Sequence, residues 1–303
     1  VGTSEQPVPF LKGHGTENDF VIIPDLDGRL SLSPAAVARL CDRRSGIGAD
    51  GVLRVVRQSG GGAEWFMDYR NADGSIAEMC GNGVRVFARY LQRAGLAKGD
   101  DLPVATRAGV RRVRFEDDGD ITVGMGPARL PAGPGPSVTV TVGERSWPAR
   151  HVDMGNPHAV AFVDRLSDAG PLLAAPGVHP SETYPRGTNV EFVVDRGPRH
   201  LALRVHERGS GETRSCGTGA CAVMVAAARR DGLDPPADGR AAAYTVDVPG
   251  GRLHVAEIPD GTVTLTGPAV IVAEGTIDPH WLNPAGHPTD FSHVSQNISH
   301  SNG

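Results

Sequence analysis

Lysine is almost absent from this chain: Lys12 and Lys98 are the only two in 303 residues. A pyridoxal-phosphate enzyme needs a Schiff-base lysine, and neither lysine has a phosphate-binding context, so that chemistry is excluded. Cysteine is scarce too. Cys41, Cys80, Cys216 and Cys221 are too few for a disulfide scaffold at this length and fit a reducing, cytoplasmic setting. There is no His-Glu-x-x-His and no clustered Cys-x-x-Cys, so no metal site is expected. No apolar run approaches the roughly 18 residues of a membrane span, and the polar start lacks a secretory apolar stretch. Neither a membrane nor export is therefore expected. A net charge of −5 and a pI near 6.1 argue against nucleic acid as a partner. The densest basic run, Arg111-Arg112-Val113-Arg114, reads as one solvated strand face.

What is present is an ordinary globular composition, 39% hydrophobic and 21% charged, long enough for one large or two medium domains. Two short stretches stand out. Glu78-Met79-Cys80-Gly81-Asn82-Gly83-Val84-Arg85 and Arg214-Ser215-Cys216-Gly217-Thr218-Gly219-Ala220-Cys221 each place a cysteine directly before Gly-x-Gly and an apolar helical pattern. A cysteine at a helix N-terminus meets unpaired N–H groups and the positive dipole end, so its thiol is expected below the free value of about 8.5. The same N–H groups can hold a carboxylate. Taken singly, either cysteine reads more readily as a buried core thiol, with half of a disulfide as the other structural reading. Two in matched settings read as a pair of reactive thiols facing one substrate. Cys41 and Cys221 read as packing residues.

The two halves of the chain resemble each other. Each runs through strands and a polar turn to Cys-Gly-x-Gly and a helix. Asn71 and Glu207 correspond, each nine residues before its cysteine (80 − 71 and 216 − 207). The predicted N-terminal half has a polar lead-in to Pro9 and a loop from Phe10 to Asp19. Strands follow at Phe20–Ile23, Val52–Val56 and Trp65–Arg70, with a helix from Ser33-Pro34 to Cys41. The first Cys-Gly helix keeps Val84, Phe87, Ala88 and Leu91 on one face. Residues 127–136, rich in Pro and Gly, read as a linker. Predicted strands of the second half include 138–142, 159–163, 190–194 and 201–205, with a polar turn from His206 to Thr213. Ala220–Ala228 is apolar on nearly every side, so this helix should be buried all round. The expected domains are 1–130 and 131–267. The stretch 283–303 reads as a disordered tail.

Such paired thiols suit a two-base racemisation. One thiolate removes a Cα proton, the opposite thiol delivers another, and helix N-termini hold the carboxylate. The competing reading is an amino-acid-binding or thiol-redox protein without proton exchange.

From about Phe10 to about Gly275 the chain resembles the diaminopimelate epimerases. The resemblance rests on Asn18-Asp19-Phe20, Arg44 to Gly51, Asn71-Ala72-Asp73-Gly74-Ser75, Cys80-Gly81-Asn82-Gly83, Met154-Gly155-Asn156-Pro157-His158, Glu207-Arg208-Gly209 and Cys216-Gly217-Thr218-Gly219. It implies an α+β fold of two pseudo-symmetric domains, each a mixed, barrel-like sheet around a central helix, with the active site between them. The last strand, about 268–282, is implied to return to the first domain. By motif, Cys80 and Cys216 are the acid/base pair. Asn18, Gly81, Asn82, Gly217 and Thr218 hold the reacting end, and Asn71, Asn156, Asn189, Glu207 and Arg208 hold the distal end. His158 and Glu207 are implied to tune the thiols. The implied substrate is diaminopimelate, with no cofactor, in a homodimer. Gly51 stands where many members carry Gln. A related racemase acting on another amino acid is the alternative within this fold group.

Overall fold

Helix α1 spans Pro34–Cys41, α2 Gly81–Arg93 and α3 Gly217–Arg230. The first is capped by Ser33, whose side chain accepts from the Ala36 N–H at 3.1 Å, with Pro34 in the first position. The other two are the axes of the molecule. On α2 the face Val84, Phe87, Ala88 and Leu91 is fully buried, and on α3 every residue from Ala220 to Ala228 is. The computed structural model describes residues 6–282. The expectation for 283–303 lies outside the described residues.

A mixed sheet wraps each of these helices. In the N-terminal half the spatial order is Val270–Ile277, Val8–Gly15, Asn18–Pro24, Gly51–Arg57, Trp65–Asn71, Asp101–Thr106, Gly109–Phe115 and Ile121–Pro127. Successive pairs are antiparallel, antiparallel, parallel, antiparallel, parallel, antiparallel and antiparallel. The C-terminal half repeats that series without change. Its order is Val138–Val142, Arg145–Asp153, Pro157–Phe162, Asn189–Gly197, His200–Glu207, Ala242–Val248, Gly251–Glu257 and Thr262–Gly267. Parallel neighbours need a long crossover, and α2 and α3 are the crossovers of the second parallel pair in each half. The last strand among the described residues, Val270–Ile277, occupies in the first half the place that Val138–Val142 holds in the second.

The closing strands of the halves pair with each other, Ile121–Pro127 against Thr262–Gly267. This puts Leu265 at the centre of the molecule, fully buried. A Cβ on Gly81 would stand 3.0 Å from Leu265 Cδ2, and one on Gly217 3.1 Å from the same atom. The glycine after each cysteine therefore lets one leucine support the start of both helices.

Several local expectations are corrected. The segment from Val8 is not a lead-in and loop but a strand, Val8–Gly15, joined to Asn18–Pro24 by a two-residue turn. Gly13 and Gly15 interrupt its apolar alternation, and Pro9 argues against a strand. The turn has Thr16 at φ 50° and Glu17 at φ 63°, left-handed values usually filled by Gly, Asn or Asp. The polar turn read at His206–Thr213 is narrower. His206 and Glu207 end a strand, and Gly211–Thr213 pairs back onto it. Arg145–Asp153 and Gly177–His179 are strands that the sequence pattern did not signal.

Replacing Leu265 by Ala removes the shared support of both helices. Its expected cost is about 2–5 kcal/mol, read as a fall in the urea midpoint. An unchanged midpoint would contradict the central placement of this side chain.

Candidate functional site

Cys80 and Cys216 are the N-caps of α2 and α3. Each has extended backbone, φ −143° and −117°, and each sulfur accepts from an N–H of the first turn. Gly83 N lies 3.4 Å from Cys80 Sγ, and Gly219 N lies 3.3 Å from Cys216 Sγ. Cys80 is half-buried and Cys216 buried. Both line one cleft of about 900 Å³ between the halves. Cys41 and Cys221 pack within apolar clusters.

Eleven of the thirteen sequence-predicted residues line this cleft: Asn18, Asn71, Cys80, Gly81, Asn156, Asn189, Glu207, Arg208, Cys216, Gly217 and Thr218. Asn82 and His158 do not, being fully buried behind it. The amide of Asn82 donates to Asn18 Oδ1 at 3.3 Å, to Ser215 O at 3.2 Å and to Ser215 Oγ at 3.1 Å. Asn18 Oδ1 also accepts from Cys80 Sγ at 3.5 Å. One chain of hydrogen bonds thus runs from the residue preceding Cys216 to Cys80. Thr16 joins it, its hydroxyl 2.6 Å from Ser215 Oγ. The strained hairpin tip of the first half therefore docks on the strap leading to the second thiol.

Asn18 is held from the other side by Asp50 Oδ2, which accepts from Asn18 Nδ2 at 2.8 Å. Arg43 bridges Asp50 and Asp19, and Lys12 pairs with Asp19 at 2.6 Å. The hydrogen bonds and charges of Arg43 and Lys12 hold the Asp19 carboxyl far below its usual range against the opposing effect of burial. The glycine-rich loop Arg44–Gly51 thus presents a carboxylate that orients Asn18.

On the Cys216 side, Asn156 Nδ2 donates to Thr218 Oγ1 at 3.3 Å and Asn156 Oδ1 meets His158 Nε2 at 3.2 Å. His158 Nδ1 lies 2.6 Å from Glu191 Oε1. Glu191 is fully buried, and its second oxygen has no partner among the described residues. It escaped sequence reasoning because it sits inside the apolar run Val190–Val194, where alternation signals core. Glu207 accepts from Thr213 Oγ1, and the neighbouring Cys216 thiol pulls its carboxyl down against the effect of burial. Arg208 is exposed on the cleft rim. Its backbone N–H donates to Asn189 Oδ1 at 3.0 Å, and its guanidinium has no carboxylate partner among the described residues.

The expected lowering of the thiols is not what the substrate-free site shows. Burial pushes Cys80 up to about 11, against a pull down from the Gly83 N–H and a further push from Glu207. Burial raises Cys216 well above the ordinary value, and Glu207 and Glu191 add to it. Dipole and N–H groups favour the thiolate, but desolvation and two nearby acids outweigh them. Burial also raises Glu207 itself. The resting cleft thus holds two neutral thiols, each above a helix N-terminus suited to an anion.

The two-domain architecture is shared with solved epimerases. A hydroxyproline epimerase from Agrobacterium vitis superposes with a TM-score of 0.66 at 15% identity, over 91% of this chain and 94% of that one, a likeness of fold alone. At the level of sequence the match is much narrower. The diaminopimelate epimerase family model matches residues 10–131 and 150–272. A diaminopimelate epimerase of Streptomyces coelicolor is 67% identical over 283 residues, 91% of this chain and 97% of that protein. One from Thermobifida fusca is 52% identical, over 88% and 97%. The chain belongs to the diaminopimelate epimerase family.

A raised thiol carries less thiolate at neutral pH than free cysteine does. Alkylation of Cys80 by iodoacetamide in the substrate-free protein, followed by mass spectrometry, should therefore be slow at pH 7. It should keep rising with pH toward a midpoint of about 11. Glu207→Gln should move that midpoint down. A midpoint below 8 in the unaltered protein would contradict this electrostatic account.

Proposed function

We propose that this chain interconverts LL- and meso-diaminopimelate without pyridoxal or metal, Cys80 and Cys216 acting as the two bases. The observation that carries this is the pair of thiols capping symmetry-related helices on one cleft. One cysteine, its proton released to solvent as the substrate binds, takes the Cα proton as thiolate, and the electron pair stays on the substrate. The other cysteine, as thiol, gives its proton to the opposite face. Each turnover leaves one thiol and one thiolate with their roles exchanged.

The substrate supplies what the resting site lacks. N–H groups at Gly81, Asn82, Gly217 and Thr218 face the reacting carboxylate and stabilise the charge that develops on it. Asn71, Asn156, Asn189 and Arg208 take the distal amino-acid end, the free guanidinium of Arg208 meeting its carboxylate. Glu207 takes the distal ammonium, which neutralises a charge that keeps both thiols protonated. His158, tied to Glu191 and Asn156, adjusts Cys216 from behind. A substrate charged at both ends uses all of these groups, whereas one without a distal amino-acid group leaves Glu207 and Arg208 without a purpose.

The reaction serves lysine and peptidoglycan synthesis, and we infer a cytoplasmic setting and a homodimer. Four free cysteines suit a reducing compartment. Val270 and Val272 stand exposed on a strand that, among the described residues, is paired on one side only, which suits association of two copies.

Incubation of the reduced protein with LL-diaminopimelate in deuterium oxide, followed by NMR, should show loss of the α-proton signal and appearance of the meso isomer. Cys80→Ala and Cys216→Ala should each lower turnover by at least about a hundredfold. Unchanged turnover in either variant would sink the two-base mechanism. No exchange by the intact, reduced protein would point to another amino acid as substrate.

A further inference from the structure

Tyr69 lines the cleft, and no part of the proposed mechanism uses it. Its strand, Trp65–Asn71, alternates so that Trp65 and Met67 enter the core on one face. Tyr69 follows on that face, half-buried where the core meets the cleft, and Asn71 continues the row. The ring stands edge-on to Phe20, centroids 5.9 Å apart at 78°. Its backbone is pinned by Arg107, which donates to Tyr69 O at 3.1 Å.

The neighbouring strand makes room for this ring. A Cβ on Gly51 would lie 2.8 Å from Tyr69 Cε2 and 2.5 Å from Arg70 O. Gly51 does not have left-handed backbone, so space rather than conformation calls for glycine. The phenol hydroxyl has no hydrogen-bond partner among the described residues, and it is not one of the sealed polar atoms of the interior. It is open to the cleft. Burial pushes the phenol well above its ordinary range, and Cys80, Glu207 and Asp50 push it further. It is therefore a neutral donor at physiological pH, set among acids that do not accept from it. An anion that would accept must arrive with the substrate.

Two carboxylates arrive, if the epimerase assignment on which this inference rests holds. The reacting one is met by the N–H groups of two helix N-termini. Tyr69 shares its strand face with Asn71, a residue given above to the distal amino-acid end, and both line the cleft with Arg208. We propose that Tyr69 is a substrate-contacting residue that donates a hydrogen bond to the distal carboxylate, from a position that Gly51 keeps open. A bond to a non-reacting group is made equally in the ground and transition states, so it acts on KM rather than kcat.

The test is Tyr69→Phe. The change removes the hydroxyl, breaks no bond within the protein and keeps the ring against Phe20, so the urea midpoint should hold. With diaminopimelate as substrate, KM should rise roughly tenfold, with kcat within about twofold. An unchanged KM, or a loss confined to kcat, overturns the inference, the second because it moves the hydroxyl to the reacting centre. Equal turnover and equal KM in both proteins overturn it while leaving the epimerase assignment standing. No turnover by either protein overturns both.

Discussion

Two helices begin on one side chain. Gly81 and Gly217 both pack against Leu265, where a Cβ would stand 3.0 Å and 3.1 Å from its Cδ2 and, at Gly81, closer still to Met125, so α2 and α3 both start against it. Much else in the site follows from that contact. The caps of the helices, Cys80 and Cys216, are brought to one cleft, and the N–H groups behind them converge on the same space. Pairing of the closing strands, Ile121–Pro127 with Thr262–Gly267, holds Leu265 in place and ties the halves into one unit. The hydrogen bonds Thr16–Ser215 and Asn82–Ser215 hold the same junction from the side of the cleft.

Burial sets the chemical state of the site. A helix N-terminus favours an anion, yet a thiolate sealed beside Glu207 and Glu191 costs more than one N–H bond returns. The arrangement is a site waiting for charge. A substrate that brings an ammonium to Glu207 and a carboxylate to the helix N-termini supplies both signs at once. This coupling limits reactive thiolate in the empty protein and ties its formation to occupancy of the cleft.

The sequence carried most of this because the informative residues lie in short, local motifs. Cys80 and Cys216 were legible from Gly-x-Gly and the apolar periods after them, and the matched spacing of Asn71 and Glu207 from the cysteines made the repeat visible. Ser33-Pro34 announced α1 by ordinary capping chemistry. Features that depend on distant partners were not legible. The strand Val8–Gly15 exists because Val270–Ile277 and Asn18–Pro24 flank it, and its glycines hide the pattern. Glu191 is a charge inside an apolar strand, intelligible only once His158 is found against it. The thiol shifts were misjudged because a motif shows the helix dipole and not the depth of burial or the acids brought in by other strands.

The most direct test of the central claim is a crystal structure with diaminopimelate bound and both cysteines reduced. The account predicts the sulfurs of Cys80 and Cys216 on opposite faces of the reacting Cα, each at about 3–3.5 Å, with its carboxylate between the starts of α2 and α3. Both sulfurs on one face, or only one within reach of Cα, would contradict it.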